Sequence, residues 1–461
     1  MMVNLLPYDD AAWEESEKGA DAWLGSLHDQ ERYLAITKFL LSYRPGKPTQ
    51  LTTIVGGSNV SFRLTYRENS SVVLRMPIPF LSIFPEEKLQ YEIATMQCLK
   101  DNTTLPLPRI LGYGPAAANP LQLGPFLILE YIDHETDLGT LLNTPNVSQD
   151  VRPVLDPNIN LPILERAYDQ FSDILLQLSR VTFWRIGSLI LQETVDGSQR
   201  IGARPLPIHW NELVRLGAFP RSELSSSSTT FPTAASYLTE LADMHIKHLL
   251  HQPHDSITSE SDCRQKFLAR LLFRKLARQG RLLPASTDKG PFKLWCDDLR
   301  PDSVLLNINH DVVGVIDWEY SYAAPLEFSC TPPWWLLLET PEKWSEGLES
   351  WTRKFDERLK VFLSLLRRRE DRLIEEGTFR EEDRLSGPMT KSWETGQFWV
   401  IYAAQRNFAF DLVFRQKLDR IFLGPQLNWD SDWEDRVGLL SKKERLELDE
   451  LVRCKLEKDS H

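Results

Sequence analysis

The stretch FKLWCDDLRPDSVLLNINHDVVGVIDWEYSY, residues 292–322, decides the fold of this 461-residue chain. Two short apolar runs in it, VLLNI and VVGVID, flank the turn-prone NHD, a pattern typical of a β-hairpin. Asp298 precedes this hairpin, Ser303 stands at its first strand, and Asp317 ends its second strand. Phosphoryl transfer needs one carboxylate to accept the proton of an attacking hydroxyl and another to hold Mg²⁺ against phosphates. A rigid hairpin would fix the distance between two such groups.

The chain before residue 132 changes from a helical to a β pattern. In residues 1–50 apolar side chains recur at three- and four-residue intervals, which predicts a helical segment that packs on the following domain. From Leu51, the runs LTTIV, VSFRLTY and VVLRM, separated by Gly56-Gly57 and the turn ENSS, predict a β-meander. A helix at about 86–100 and two more strands, in PRILGYG and PFLILEYI, complete a small antiparallel sheet with one helix.

Beyond Tyr131 the helical period dominates. The long segment between residue 132 and Asp298 is expected to build or cover an acceptor pocket. No internal repeat of 20–50 residues interrupts this half. Helices are predicted near 163–181, 233–251, 262–279, 341–369, 393–416 and 440–456.

Composition and charge restrict the classes of partner and the cellular setting. With 53 Lys and Arg against 65 Asp and Glu, the net charge is −12, so the chain lacks a positive field for nucleic acid or anionic lipid. No apolar run approaches the ~18 residues of a membrane helix. Five scattered cysteines without CxxC spacing, and an acidic N-terminal segment unlike a signal peptide, predict reduced thiols and a cytoplasmic protein. A small-molecule partner is favoured over nucleic acid or membrane.

The stretch LWCDDLRPDSVLLN…VVGVIDWE resembles the catalytic loop and metal motif of the aminoglycoside phosphotransferase family, usually written HGDLHPGN…IDWE. Upstream segments fit the same family in the same order. GGSNVSFRL resembles the nucleotide-covering loop, VVLRMP the strand with a phosphate-contacting cation, YEIATMQCL the helix with its acidic partner, and FLILEYI the hinge strand. The resemblance spans about residues 51–340, and APLEFSCTPPWWLLLE is similar to a fungal branch of the family.

This resemblance implies an α+β, protein-kinase-like fold of two lobes, a small antiparallel-sheet lobe and a mainly helical one. The expected domains are a helical N-terminal extension at 1–50, a nucleotide-binding N-lobe at 51–132 and a helical C-lobe at 133–461. The catalytic hairpin, at about 291–320, lies within the last of these.

The resemblance also implies roles for individual residues, with ATP and Mg²⁺ as cofactors and a hydroxyl of a small molecule as acceptor. Asp298 matches the catalytic base and Asp317 the main Mg²⁺ ligand, with Ser303 as a second ligand. Arg75 takes the cation position and Glu92 its ion-pair partner. The remaining cofactor-binding positions are the loop residues Gly56, Gly57, Ser58 and Asn59 and the hinge residues Glu130, Tyr131 and Ile132.

Two departures from the family pattern keep two functions open. Cys296 stands where the family has a His that supports the loop, and Ser303 stands where it has a metal-binding Asn. A hydroxyl can coordinate Mg²⁺ or hold one of its waters, but it is shorter than a carboxamide. The chain is therefore either a phosphotransferase or an impaired pseudokinase that serves as a nucleotide sensor or a protein-interaction module. The presence of Asp298 and Asp317 favours the first.

Several conspicuous residues have structural interpretations that are favoured over functional ones. Glu319 is expected to form a salt bridge or a helix cap in preference to binding metal. Trp334 and Trp335 are expected in the core and not on the wall of an acceptor site. Three histidines on one predicted helix are expected to form a polar stripe and not a zinc site: His245, His248 and His251.

Overall fold

The computed structural model describes residues 6–147, 151–191, 200–425 and 427–459. Its first part contains three helices and a five-stranded antiparallel sheet with the strand order β1-β2-β3-β5-β4. These elements match the predicted meander, helix and two further strands. They are α1 (Asp10–Gly25), α2 (Gln30–Tyr43), β1 (Pro48–Gly56), β2 (Asn59–Tyr66), β3 (Ser71–Pro77), α3 (Pro85–Asn102), β4 (Ile110–Gly114) and β5 (Phe126–Glu130).

One face of this sheet is covered by the N-terminal helices. Because side chains alternate along a strand, every second residue of β2 points to the same face and is buried there. The buried set on β2 is Val60, Phe62, Leu64 and Tyr66, which share one hydrophobic cluster with Ala20, Leu27, Ile36 and Leu40 of the helical segment. The helices thus pack on the sheet, as the sequence predicts.

The second lobe is mainly helical and carries several small sheets. Its elements are β6 (Thr136–Asp137), α4 (Leu138–Leu142), α5 (Leu161–Ser179), β7 (Thr182–Phe183), β8 (Ser188–Ile190), β9 (Arg200–Ala203), α6 (Ile208–Leu216), α7 (Ala234–His251), α8 (Glu260–Arg278), β10 (Phe292–Cys296), β11 (Val304–Leu306), β12 (Val312–Val315), β13 (Ser321–Ala324), α9 (Leu326–Ser329), α10 (Leu348–Glu375), α11 (Ser386–Glu394), α12 (Gln397–Gln405), α13 (Phe410–Val413), α14 (Asp419–Leu423) and α15 (Lys442–Asp459). The whole is the two-lobed α+β, protein-kinase-like architecture that the sequence predicts.

The predicted catalytic hairpin is present. Strands β11 and β12 pair antiparallel, with Val304 opposite Val315 and Leu305 opposite Gly314. A side-chain carbon at Gly314 would lie 2.7 Å from Cδ1 of Ile132, so glycine here lets the Ile132 side chain pack directly on the hairpin. The hairpin is thereby held against the junction of the two lobes.

Two predicted helices differ from the structure. The segment 393–416 is interrupted: Gly396 has a φ of +78° and separates α11 from α12, which ends at Gln405. A left-handed residue cannot continue a right-handed helix, so the apolar periodicity continues while the helix does not. The segment 341–369 begins as a helix only at Leu348, after Gly347 with a φ of +82°.

The polar-stripe interpretation of the histidines is wrong for two of them. His245 and His248 are fully buried on α7, and burial lowers the pKa of His248 to about 3. Near them, Arg270 donates to both carboxylate oxygens of Asp411 at 2.6 and 3.1 Å, a fully buried pair that fixes α13 against α8. Within the described residues, no helix combines the length and apolar character that a membrane crossing requires.

Candidate active site

A cleft with a volume of about 900 Å³ lies between the two lobes. Ten of the predicted site residues line it: Gly56, Gly57, Ser58, Asn59, Arg75, Glu130, Tyr131, Ile132, Asp298 and Asp317. Apolar side chains from both lobes share the wall near the end of β5, namely Ile54, Val73, Leu129, Leu305 and Ile316. Two apolar walls facing each other form a slot of the kind that suits a flat aromatic base.

The loop between β1 and β2 is a tight turn over this cleft. Gly57 has a φ of +54°, which a residue with a side chain rarely adopts, and Gly56 pairs with Asn59 across the turn. The carbonyl of Ser58 accepts a hydrogen bond from the amide of Ile78 at 2.8 Å. The loop is therefore anchored to the end of β3.

Arg75 on β3 connects carboxylates from both lobes. Its guanidinium pairs with Glu92 of α3 and donates to Asp317 Oδ1 at 2.8 Å. Burial would lower the pKa of Arg75, but Glu92, Glu319 and Asp317 together raise it, so the group stays charged. The structure thus brings together the cation, its acidic partner and the proposed metal-binding carboxylate.

Asp317 is held by an unusual backbone. It follows β12 with a φ of +61°, and Tyr320 close behind has a φ of +59°. Non-glycine residues in the left-handed region cost energy and concentrate at functional sites, although Asp tolerates this region better than most. The indole of Trp318, fully buried between them, donates to the carbonyl of Val315 at 3.1 Å and anchors the segment.

Cys296 contacts this same segment. Its buried thiol lies 3.7 Å from the carbonyl oxygen of Asp317 and 3.6 Å from that of Glu319. Burial raises the pKa of the thiol far above its ordinary value, so it is a neutral weak donor and not a nucleophile. Cys296 therefore supports the loop around Asp317 through its Sγ atom.

Asp298 lines the cleft from the helical lobe and forms an ion pair with Arg300, whose Nε is 3.0 Å from Asp298 Oδ1. Burial raises the pKa of Asp298 to about 7, Arg300 opposes this shift, and Glu319, Asp317 and Asp297 add to it. A carboxylate with this pKa can exchange a proton near neutral pH, as a general base must. The sequence argument missed Arg300, although its place two residues after Asp298 was visible.

Asp297, in contrast, is a structural carboxylate. Its Oδ2 accepts from the amide of Ile208 at 2.9 Å, and its Oδ1 accepts from Trp295 Nε1 and Gln405 Nε2, each at 3.2 Å. It therefore connects the start of α6 and the end of α12 to the catalytic loop.

Lys88 is the principal site residue that the sequence analysis did not identify. It is 2% exposed on α3, one helical turn before Glu92, and its Nζ donates to Glu319 Oε2 at 2.8 Å and to Ser58 Oγ at 2.9 Å. Asn59 donates to both oxygens of Glu319 at 3.3 and 3.2 Å. Burial alone would raise the pKa of Glu319, but Lys88 and Arg75 hold it below its usual value.

This network joins the turn over the cleft to the segment that carries Asp317. Glu319 forms the salt bridge that the sequence analysis favoured. Its partner could not be found from sequence, because a lysine in an EEKLQYE helix is ordinarily exposed.

Among the hinge residues, one backbone N–H is available. The amide of Glu130 donates to the carbonyl of Arg109 and that of Tyr131 to the carbonyl of Ser71, at 2.9 and 3.1 Å. The amide of Ile132 makes no hydrogen bond within the described residues. It lines the cleft beside the apolar slot, where a base could accept from it.

Ser303 is not on the cleft wall. It is 4% exposed, and its carbonyl accepts from the amide of Ile316 at 2.9 Å, next to Asp317. No group of three or more His, Cys, Asp or Glu side chains in the described part of the chain is arranged to hold a metal ion by itself. Mg²⁺ commonly takes only one or two carboxylates and completes its shell with phosphates and waters, so Asp317 remains compatible with it.

The end of the cleft beside Asp298 is lined by three further regions. Helix α6 contributes Glu212, residues 334–343 contribute Trp334 and Glu342, and the turn after α12 contributes Arg406. Trp334 therefore stands on the cleft wall, which corrects its assignment to the core, whereas Trp335 is buried as predicted. The segment between residue 132 and Asp298 does build part of this wall, through α6.

No protein-family model matches the chain. Two curated relatives are both named "Altered inheritance of mitochondria protein 9, mitochondrial". The protein of Clavispora lusitaniae is 34% identical over 146 residues, 30% of this chain and 21% of the relative. That of Meyerozyma guilliermondii is 22% identical over 291 residues, 59% of this chain and 48% of the relative. The chain thus spans less than half the length of either relative.

Both relatives are fungal, in agreement with the fungal branch indicated by residues 324–339. Their names contradict the prediction of a cytoplasmic protein. Free cysteines indicate a reducing environment without distinguishing one reducing compartment from another, and this is where that argument failed.

Among solved structures, a macrolide 2′-phosphotransferase type I is similar to the chain at 11% sequence identity. The match covers 84% of this chain and 97% of the other, with a TM-score of 0.40.

The Lys88–Glu319 pair generates a stability prediction. Lys88→Met should cost about 3–5 kcal/mol of the free energy of unfolding, because it leaves the buried Glu319 carboxylate without its cation. The double variant Lys88→Met/Glu319→Gln should recover much of this loss. Urea unfolding followed by tryptophan fluorescence measures both variants. As a control, Arg166→Met breaks the exposed Arg166–Asp311 pair and should cost less than about 1 kcal/mol. Additive effects of the two substitutions in the double variant would contradict this account.

Proposed function

We propose that this protein transfers the γ-phosphoryl group of ATP, with Mg²⁺, to a hydroxyl of a small molecule. The observation that carries the proposal is the contact of Arg75 with both Glu92 and Asp317 at a cleft that Asp298 also lines. A cation, a carboxylate at a strand end and a base of suitable pKa are the parts that phosphoryl transfer requires.

The nucleotide is proposed to lie with its base in the apolar slot. The amide of Ile132 would donate to the base, and Leu129 and Ile316 would contact its faces. The backbone of Gly56 and Gly57 would approach the phosphates, which glycine allows because it has no side chain to obstruct them. The planar, permanently charged guanidinium of Arg75 would contact the phosphates.

The donor set fits one divalent cation. Asp317 is 42% exposed at its side chain and faces the cleft, so its second oxygen can serve as a ligand while Arg75 holds the first. The cation would neutralise phosphate charge, which is the chemistry it supplies in such sites.

Asp298 is proposed to hold the acceptor hydroxyl and to take its proton as the oxygen bonds to phosphorus. Arg300, two residues further, would stay charged because Asp298 raises its pKa, and could stabilise negative charge on the transferring group. Catalysis would therefore rest on positioning and electrostatics.

The second candidate function is a pseudokinase. Cys296 and Ser303 favour it, because a thiol at 3.6–3.7 Å supports the loop less firmly than an imidazole would. The position of Asp298 beside a charged guanidinium, with a pKa near neutrality, favours transfer activity. Turnover measurements separate the two candidates.

Asp298→Asn should leave ATP affinity within about twofold and lower turnover by about 10²–10⁴-fold, because only the proton acceptor is removed. In the parent, the base must be ionised, so turnover should rise with pH through the pKa of Asp298. The midpoint of that rise should lie at or below the value of about 7, since a bound cation lowers it. ATP turnover over a panel of small alcohols at several pH values measures this. Asp311→Asn, at the exposed hairpin turn, is the matched control. Equal turnover by the parent and by the Asp298→Asn variant would show that Asp298 is not the base.

Substitutions at Ser303 divide the two candidates further. Because Ser303 is buried next to Asp317, we propose that it acts on the metal through a water or through the loop. In a working enzyme Ser303→Ala should then raise the Mg²⁺ concentration needed for half-maximal turnover by about 10-fold or more. Ser303→Asn should preserve activity. In a pseudokinase, Ser303→Ala should be silent. MgATP affinity and turnover, both measured across a Mg²⁺ titration, decide between these results, because a pseudokinase can respond only in affinity.

A further inference from the structure

Arg406 is a charged group on the cleft wall. It caps the C-terminus of α12, and within the described residues its guanidinium has no carboxylate within 4.0 Å and no hydrogen bond. Two aromatic rings adjoin it: the guanidinium carbon lies 5.9 Å from the ring of Trp334 and 6.0 Å from that of Tyr402. Burial lowers the pKa of Arg406, but nearby acidic groups raise it by more, so the guanidinium stays charged. These groups are Asp297, Tyr402, Glu212 and Glu342.

The other arginines lining the cleft differ in this respect. Each has a carboxylate partner in direct contact: Arg75 with Glu92 and Asp317, Arg215 with Glu17, and Arg300 with Asp298. A guanidinium that has lost part of its hydration without gaining a partner is a ready site for an anionic ligand.

Glu212 is the complementary case. This carboxylate lines the cleft from α6 and makes no ion pair or hydrogen bond within the residues described here. By contrast, the other nearby carboxylate, Glu342, accepts from the hydroxyl of Tyr402 at 2.5 Å. Glu212 and Arg406 influence each other's pKa, yet they are not in salt-bridge contact. Burial raises the pKa of Glu212 and Arg406 opposes this shift, so the two groups interact electrostatically without direct contact.

Asp297 links the elements that carry both groups to the loop of the proposed base. Its carboxylate accepts from Ile208, one turn before Glu212, and from Gln405, the neighbour of Arg406. Since Asp298 is the next residue, Glu212 and Arg406 lie on two elements that are tied to the catalytic loop by the same side chain. An acceptor whose hydroxyl meets Asp298 would have these two charges around it.

The charges select among acceptors. A polycation would bring an ammonium against Arg406, and a simple anion would meet Glu212 and Asp298. Glu342 and Lys343 on the same wall add one charge of each sign, so they do not change this balance. A molecule with both signs satisfies both unpaired groups.

We propose that the acceptor is a small hydroxylated zwitterion whose anionic group, a carboxylate or a phosphate, is bound by Arg406 and whose ammonium is bound by Glu212. The inference rests on the proposed phosphotransferase function. In the reaction the acceptor oxygen bonds to the γ-phosphorus of ATP as the bond from that phosphorus to the bridging oxygen breaks. ADP leaves, and the hydroxyl proton passes to Asp298.

Matched probes test the acceptor class. L-Threonine carries both charges and a hydroxyl, L-threoninamide only the cation, and 3-hydroxybutyrate only the anion. Glycerophosphoethanolamine carries a phosphate in place of the carboxylate, and kanamycin is a polycation. Binding to the MgADP complex is followed by tryptophan fluorescence, since Trp334 adjoins Arg406, and ATP turnover is measured in parallel. At least one of the two zwitterions should have a dissociation constant about tenfold or more below that of either singly charged probe.

Two charge-removing substitutions assign the contacts. Arg406→Gln should weaken zwitterion binding by about tenfold or more and leave L-threoninamide within about threefold. Glu212→Gln should weaken zwitterion binding while leaving 3-hydroxybutyrate within about threefold. Arg406→Lys, which keeps the charge without the planar fork, should fall between parent and Arg406→Gln. Arg166→Gln, at an exposed and distant ion pair, should change nothing.

MgATP affinity shows whether a negative result refutes the phosphotransferase function or only the zwitterion proposal. A parent that does not bind MgATP refutes the phosphotransferase function itself. A parent that binds MgATP but prefers kanamycin or L-threoninamide, or binds neither zwitterion, overturns the zwitterion proposal alone. Equal losses for all probes in Arg406→Gln also overturn it, because they would reflect a structural role. A preference for glycerophosphoethanolamine over L-threonine identifies the anionic group as phosphate, and the reverse identifies it as carboxylate.

Discussion

A group of charges at the junction of the lobes, buried except for Asp317, is the constraint on which the rest of the structure depends. The sheet lobe contributes Arg75, Lys88 and Glu92, and the segment after the catalytic hairpin contributes Asp317 and Glu319. Burying a charge is costly unless it is paired, so the two lobes can meet here only with these partners aligned. Two cations face three carboxylates, which leaves one negative charge for a further cation to neutralise.

That alignment also explains why unusual local features occur together. Three features hold the short segment that carries Asp317. They are the left-handed backbone at Asp317 and Tyr320, the thiol of Cys296 against two carbonyls, and the close packing at Gly314. The turn over the cleft is joined to the same segment by Asn59 and Glu319. The residues proposed to bind nucleotide and metal would therefore be held in position before any ligand binds.

The sequence predicted the elements whose signals are local. The β-hairpin at 304–315 and the five strands of the sheet follow from alternation and turn residues, and Arg75, Glu92, Asp298 and Asp317 from a pattern of motifs. Lys88 could not be predicted, because a lysine between acidic residues on a helix is usually solvated. Arg406 lay in a region predicted as continuous helix, and only the break at Gly396 and the end of α12 place it on the cleft wall. Charges that meet across hundreds of residues have no local signature.

Nucleotide binding linked to Asp317 is the central claim, and thermal melting with ATP, with and without Mg²⁺, tests it most directly. At 100 times its dissociation constant, MgATP should stabilise the parent by about 2.7 kcal/mol, and removing Mg²⁺ should abolish most of the rise in melting temperature. In Asp317→Asn the Mg²⁺-dependent part of that rise should disappear while the variant stays folded. A parent whose melting temperature does not change in millimolar MgATP, or whose Mg²⁺-dependent rise survives in Asp317→Asn, would contradict the account.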